Sequence, residues 1–151
     1  MIKKILIILL LVFVVIQFIR PHRNNGNAAG PNDITTVVAV PDTVMNILKK
    51  SCYDCHSNHT NYPWYMNINP AGWFMARHVN DGKEELNFSE YATYNKKKRD
   101  RKLTITAEQV SKHEMPLSSY LLIHTDAKLE DGQIKIIKDW VESARQELKM
   151  K

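Results

Sequence analysis

The chain has 151 residues and a formal net charge of +5 at pH 7, from 21 Lys and Arg residues against 16 Asp and Glu residues. This length has room for one domain with short appendages. Because Lys3, Lys4 and Arg20 belong to an N-terminal apolar segment, the rest of the chain is close to neutral. A charge this small gives no reason to expect nucleic-acid binding.

The N-terminus carries an apolar segment with the features of an export signal. Two lysines precede an apolar run that Gln17 interrupts near its end, and Arg20 closes it. Residues 5–19 make about 22 Å of helix at ~1.5 Å per residue, which is short for a bilayer core of about 30 Å unless the flanking basic side chains reach the interfaces. Such a segment is a cleaved signal peptide or an uncleaved anchor. No small-residue cleavage site follows directly, so residues 1–20 are predicted to form a signal anchor, a transmembrane segment.

Residues 21–40 are rich in Asn, Gly, Ala and Pro and show no sustained apolar period. They are predicted to form a flexible linker from the membrane to the folded domain, which takes residues 41–151. A helix is predicted to begin near Pro41, and its apolar face continues at helical spacing into the first of the two cysteines.

Both cysteines lie in the sequence Cys52-Tyr-Asp-Cys55-His56, which has the C-x-x-C-H pattern of covalent c-type haem attachment. Two thiols three positions apart lie on one side of a helical turn, so both can reach the vinyl groups on one edge of a porphyrin. His56 is then carried under the ring and offers an imidazole nitrogen to the iron. The pattern predicts one haem c, bound through Cys52 and Cys55, with His56 as the proximal ligand.

Two other uses of the cysteines are weaker. Zinc could be imagined between Cys52, Cys55, His56 and His59, but four ligands this close in sequence would strain a tetrahedron, and the usual second half-site is missing. A thioredoxin-like pair is disfavoured because the expected βαβ pattern is absent.

Several further helices are predicted after the motif. One covers residues 71–80 and carries Trp73 and Arg77, which are candidates for bonding haem propionates. A second runs over residues 89–98, and a capping-box pattern at Thr106 opens a short third helix.

The basic cluster at residues 96–102 reads Lys-Lys-Lys-Arg-Asp-Arg-Lys. It is interpreted as a solvated loop or helix end. A docking patch for an acidic redox partner or for anionic lipid is the alternative.

The clearest helix is the last, predicted over residues 131–148. Its apolar residues recur on one face, namely Ile134, Ile137, Trp140, Val141, Ala144 and Leu148. Strand alternation is not found, so the predicted fold class is all-α, a cytochrome c-like helical domain around one covalent haem, preceded by the anchor helix. About 110 residues is modest for a self-sufficient core, so the haem-free chain is expected to fold poorly.

A six-coordinate haem needs a second axial ligand, and Met115 is the best candidate. A thioether is a soft, neutral ligand, and Met/His ligation raises the reduction potential. Met115 lies far enough after His56 for helices to cross the haem edge between them, and the following proline stiffens its loop. His113 and His78 are the alternatives, and a five-coordinate iron with an open position is a further one.

Together these motifs resemble the small haem-binding domain family of membrane-anchored c-type cytochromes. The resemblance covers roughly residues 41–141 and is carried by Cys52-Tyr-Asp-Cys55-His56-Ser57, Tyr62-Pro63-Trp64-Tyr65, Pro70-Ala-Gly-Trp73, Ala76-Arg77, Leu86-Asn87-Phe88-Ser89-Glu90, Glu114-Met115-Pro116 and Tyr120-Leu121-Leu122-Ile123-His124. It implies an α-helical cytochrome c-like domain with His56 as the proximal and Met115 as the distal ligand.

The first functional prediction is a one-haem electron carrier that is not an enzyme. Because c-type haem is normally attached on the export side of a bacterial inner membrane, the chain is predicted to be anchored there with its globular domain in the periplasm. Its partners would be redox proteins of the cell envelope, with no nucleic acid among them. The alternative is a haem-based peroxidase or a gas or redox sensor with a labile distal position, where His113 or Glu114 could supply an acid or base.

Overall fold

The computed structural model describes residues 1–150, and this part of the chain is all-helical, which confirms the all-α prediction. It holds one isolated β-bridge, between Asn25 and His59, and no strand. The α-helices are α1 (Ile2–Ile16), α2 (Asp42–Ser51), α3 (Tyr53–His56), α4 (Ala71–Glu85), α5 (Lys96–Ser111), α6 (Ser118–Leu121) and α7 (Asp131–Met150). Short 3₁₀ turns lie at Ile34–Thr36, Trp64–Asn67, Phe88–Thr93 and Thr125–Ala127.

The core lies where α2, α5 and α7 pack together. The apolar face predicted for the last helix is confirmed, since all six of its residues are buried. The Trp140 indole donates a hydrogen bond of 2.9 Å to the Ala39 carbonyl oxygen, which fastens the chain before α2 to α7. An ion pair of 2.7 Å between Arg145 and Asp100 joins α7 to α5 at the edge of the core.

Residues 21–40 pack on the domain, so the prediction of a flexible linker is wrong. Ile34 is 0% exposed and Val38 is 2% exposed, and both belong to the core. Asp33 caps the turn that follows it, and its second carboxylate oxygen lies 3.5 Å from the Tyr53 hydroxyl. The Asn, Gly and Pro content suggested a tether, but the two buried aliphatic residues are one helical turn apart. The folded unit therefore begins before residue 41.

Two helix boundaries predicted between residues 88 and 111 are also wrong. A 3₁₀ turn covers Phe88–Thr93, and one long helix, α5, follows it. Asn95 starts α5 by accepting a backbone N–H on its side-chain oxygen at 2.9 Å. Thr106, predicted to open a helix, lies in the middle of α5 and donates its hydroxyl to a carbonyl of the preceding turn. Basic residues are unfavourable beside the unpaired N–H groups of a helix start, so the sequence did not indicate that a helix begins at residue 96.

α1 stands apart from the core, and none of its residues is buried. It has 15 residues. Within the described residues, no helix is both long and apolar enough to span a membrane. The C-terminal end of α1 is nevertheless fixed to the domain, because the Asn69 side chain donates to the carbonyl oxygens of Ile16 and Ile19 at 2.8 and 2.9 Å.

Candidate functional site

The three motif residues lie at a tight junction between α2 and α3. The amide of Cys52 donates to the Leu48 carbonyl at 2.8 Å, and the amide of His56 donates to the Cys52 carbonyl at 2.9 Å. This single turn carries both thiols and the imidazole. Both cysteines are free and partly buried. Burial raises the pKa of Cys52 to about 12 and that of Cys55 to about 11, so both thiols are protonated at neutral pH.

The two residues between the cysteines hold the turn from opposite sides. Tyr53 points into the core, where its ring stacks on Phe88 with 5.3 Å between centroids. Asp54 points to the other side and accepts the Tyr120 hydroxyl at 2.9 Å. Because Tyr120 follows Met115 by five residues, this contact ties the motif to the segment predicted to supply the distal ligand.

His56 is oriented by the C-terminal end of α4. Its Nδ1 lies 2.9 Å from the carbonyl oxygens of both Gly82 and Leu86, and since carbonyls only accept, Nδ1 carries the proton. The other nitrogen, Nε2, keeps its lone pair, as in metal-binding histidines whose second nitrogen is held by the protein. Burial lowers the pKa of His56, which favours the neutral ring that can bind a metal.

Gly82 allows α3 and α4 to approach each other closely. A Cβ at this position would lie 2.8 Å from the Cys55 carbonyl oxygen and 3.1 Å from the Cys55 Cβ. The first distance is shorter than a Cβ tolerates, and the atom it meets belongs to the backbone. The Gly82 carbonyl also accepts a hydrogen bond from the His56 imidazole. The spacing of these two helices therefore sets the position of the His56 side chain.

Gly82→Ala is therefore expected to push α3 away from α4 and to lower the free energy of unfolding by about 1–3 kcal/mol, as overpacking usually does. Gly132→Ala is the matched control, because nothing lies within 4 Å of that position in α7. There the higher helix propensity of alanine should raise the free energy of unfolding by up to about 1 kcal/mol. Urea titration measures both variants, and equal stabilities would contradict the close approach.

Two adjoining cavities of about 290 and 240 Å³ open beside the motif. Cys52, His56 and Met115 line both of them, so the cavities are two parts of one cleft. One part extends along α5 and the other along α4. Together they reach the range of ~300–1,000 Å³ that is usual for ligand and cofactor sites.

Met115 is held at this cleft by the loop that follows α5. The amides of Glu114 and Met115 donate to the Gln109 carbonyl at 3.0 and 3.4 Å, so the loop stays against the last turns of the helix. Cys55 lines the part of the cleft along α4. The structure thus brings the four predicted site residues together around one space.

Of the two histidine alternatives to Met115, one lies at the cleft. His78 lines the part along α4, with its Nδ1 2.8 Å from the Phe74 carbonyl and its Nε2 not engaged by that contact. His113 is exposed, adopts a φ of 55°, and borders a separate hollow beside α7. The geometry therefore keeps His78 as an alternative and separates His113 from the cleft.

The two residues predicted to bond propionates do not line the cleft themselves. The Trp73 indole donates to the Ile19 carbonyl at 2.7 Å, at the end of α1. The Arg77 side chain is 82% exposed and pairs with Asp81 at 3.7 Å. Neither residue lines either part of the cleft.

Lys102 is a cleft residue that sequence reasoning missed. Its side chain is only 14% exposed, and its ammonium lies 3.3 Å from the Glu85 carboxylate. It is the one Lys or Arg among the residues that line the two cavities. Lys102, Thr106 and Gln109 follow each other along one helical face, so recognising α5 as a single helix would have pointed to them.

The described residues do not form the cluster of ligands that the zinc alternative requires. Among residues 1–150, no three side chains of His, Cys, Asp or Glu meet as a possible metal site. His59, the fourth ligand it would need, has its Nδ1 3.3 Å from the Gly26 carbonyl at the surface.

Comparison with known families gives one match, to the family described as haem-binding domain, over residues 11–143. This match confirms the resemblance to a haem-binding domain family. It also takes in residues 21–40, in agreement with their packing on the core. Searches of curated proteins and of solved structures gave no match.

Proposed function

The chain belongs to the haem-binding domain family, and from this premise we propose that it is a c-type cytochrome. One haem is bound covalently through Cys52 and Cys55, with His56 as the proximal ligand and Met115 as the distal ligand. The bound haem supplies one-electron redox chemistry. The protein carries electrons and is not an enzyme.

One observation carries this proposal: both thiols, a methionine and a pre-oriented imidazole line the same cleft. The donor set is one neutral imidazole nitrogen and one thioether, which is a known pair of axial ligands for haem iron. The part of the cleft that extends along α5 is lined by apolar side chains, among them Leu86, Phe88 and Val110. Such walls suit a porphyrin face.

Lys102 is the residue that would hold a haem propionate. Lys102 is the only Lys or Arg in the cleft lining. Its ammonium group can pair with a propionate carboxylate through a charge-assisted hydrogen bond. Its present partner, Glu85, is 81% exposed and can turn to solvent.

The test is a reduced-minus-oxidised spectrum of the full chain matured with c-type haem assembly factors, followed by pyridine haemochrome analysis. We expect one haem per chain, low-spin when oxidised, and retained by the polypeptide after denaturation. Colourless protein in which both thiols react with an alkylating agent would overturn the proposal.

A second function, a haem-based peroxidase or a gas or redox sensor, would require an open distal position. His78 and Asp81 at the cleft are better placed to assist such chemistry than His113 or Glu114, which do not line it. A high-spin ferric spectrum in the intact protein, together with rapid peroxide consumption, would favour this second function over electron transfer.

The proposal includes attachment to the inner membrane through α1. Apolar side chains are exposed along this helix, for example Leu10 at 61%, and a surface of this kind favours lipid over water. The haem domain would face the periplasm, where c-type haem is attached. Redox proteins of the cell envelope are the proposed partners, with no role for nucleic acid.

A further inference from the structure

Two hydrogen-bonded residues, half-buried Gln17 and buried Asn69, join the end of α1 to the haem-binding domain. The Gln17 amide donates to the Asn69 carbonyl at 3.0 Å, and the Asn69 backbone N–H donates back to the Gln17 side-chain oxygen at 2.9 Å. Asn69 is 1% exposed. We call this pair the clamp. It gives a structural role to the one polar residue that interrupts the N-terminal apolar run.

The haem domain also caps α1. The last carbonyl groups of a helix have no partner within the helix, and the domain supplies a donor for one of them. The Asn69 side chain donates to Ile16, the last residue of α1, and to Ile19 three residues beyond it, and the Trp73 indole gives Ile19 a second hydrogen bond of 2.7 Å. With its end fixed by donors from two residues, α1 cannot pivot freely against the domain.

The surface beside the clamp is apolar and basic. Trp64, Ile68 and Phe74 are 74%, 41% and 53% exposed, and each lies within five residues of Asn69. Arg20 donates to the Asn67 carbonyl at 3.1 Å, which holds it on the same loop. We call Trp64, Ile68, Phe74 and Arg20 the clamp surface. Tryptophan and arginine at the end of an apolar helix are typical of a membrane–water interface.

We propose that the clamp surface lies in the lipid headgroup region of the membrane that α1 enters. The contacts of Asn69 and Trp73 with Ile16 and Ile19 bring this loop and the start of α4 to the end of the exposed apolar helix, so we expect lipid that surrounds α1 to meet the surface as well. This inference rests on the proposed membrane attachment. It goes further by naming the part of the domain that touches lipid and the clamp that orients it.

The clamp has a consequence for the distance between the cleft and the membrane surface. α4 begins beside the clamp, and its residues from His78 to Glu85 line the cleft. At ~1.5 Å per residue they lie about 8–18 Å along the helix axis from Trp73. The proposed geometry holds the haem at a fixed distance from the lipid surface and in one orientation.

The test uses a photoreactive phenylalanine analogue, p-benzoylphenylalanine, introduced singly at four positions of the full-length haem protein. The protein is reconstituted in vesicles of phosphatidylethanolamine and phosphatidylglycerol, illuminated, and analysed by mass spectrometry for phospholipid adducts. Positions 64 and 74 probe the clamp surface, and position 10 probes α1. Position 143 is the control, since Ser143 is exposed on α7, which packs on α2 and α5.

Lipid adducts at positions 10, 64 and 74, with none at 143, are the expected result. Adducts at position 10 alone would overturn the clamp-surface proposal while membrane attachment stands. No adduct at any position would overturn the attachment itself and the inference with it.

A double substitution tests the clamp. Gln17→Ala with Trp73→Phe removes both hydrogen bonds to the Asn69 backbone and the indole hydrogen bond to Ile19, so that of these contacts only those of the Asn69 side chain remain. Adducts at positions 64 and 74 should then fall, while those at position 10 persist. Unchanged adducts at all three positions would show that the clamp does not set the orientation.

Discussion

The Cys52→Ala, Cys55→Ala double variant is expected to lose covalent haem and to melt roughly 10–20 °C below the wild-type protein. The reason is the cleft, whose two parts measure about 290 and 240 Å³. Leaving only the larger part unfilled costs about 7 kcal/mol at about 24 cal/mol per Å³. A domain is stable by only about 5–15 kcal/mol in total, so this loss leaves the haem-free chain marginal. Thermal melts followed by circular dichroism measure the shift.

The control for this variant is wild-type protein produced without haem assembly factors. This protein keeps both native thiols but carries no covalent haem. Its melt should coincide with that of the double variant, because the missing haem and not the missing sulfur atoms is responsible. Hydrogen exchange should show protection lost first in α3 and α4, whereas α5, which also borders the cleft, and α7 keep their protection because they pack on each other in the core. A native melt in the double variant would contradict the expectation.

Met115→Ala is expected to abolish the weak near-infrared charge-transfer band of the oxidised protein and to shift the ferric haem toward high spin. Removing the thioether leaves the iron without the ligand that favours its reduced form. Met115→His should restore a low-spin haem and lower the reduction potential by on the order of 100 mV, within the ~0.8 V that axial ligands can span. Absorption spectra and a redox titration measure these changes.

His78→Ala and His113→Ala are the matched controls for Met115. His78 lies at the cleft and His113 lies outside it, and the proposed ligation requires both variants to keep the charge-transfer band. Loss of the band in His78→Ala, with Met115→Ala unchanged, would move the distal ligand to α4 and refute the assignment.

Much of the architecture was predictable because its signals are local or strictly periodic. The apolar face of α7 repeats at helical spacing over residues 134–148, and all six predicted positions are buried. The cysteine motif encodes its own geometry within one turn. The assignment of Met115 was of a different kind, since it depended on the following proline and on a family resemblance, and the structure places that residue at the cleft.

The errors arose where tertiary contacts override composition. Residues 21–40 resemble a tether in composition, yet Ile34 inserts into a core built mainly from residues distant in sequence. α5 begins with consecutive basic residues, which no local rule favours as a helix start. The helix start was therefore not predicted, and neither was the position of Lys102 at the cleft. The helix predicted over residues 71–80 continues to Glu85, because Gly82, a residue type that often ends helices, instead allows the close contact with Cys55 inside α4.

His56 lies where α4 ends, and this position has an electronic consequence. The C-terminus of a helix carries a partial negative charge of about half an elementary unit, from the macrodipole of its peptide groups. The Gly82 oxygen there accepts from both the Leu86 amide and the imidazole. Attraction of the ring proton toward two carbonyl oxygens enriches the opposite nitrogen in electron density. In the proposed haem complex, a more strongly donating His56 imidazole would favour ferric iron, whereas the Met115 thioether would favour ferrous iron, so the two ligands would have opposite effects on the reduction potential.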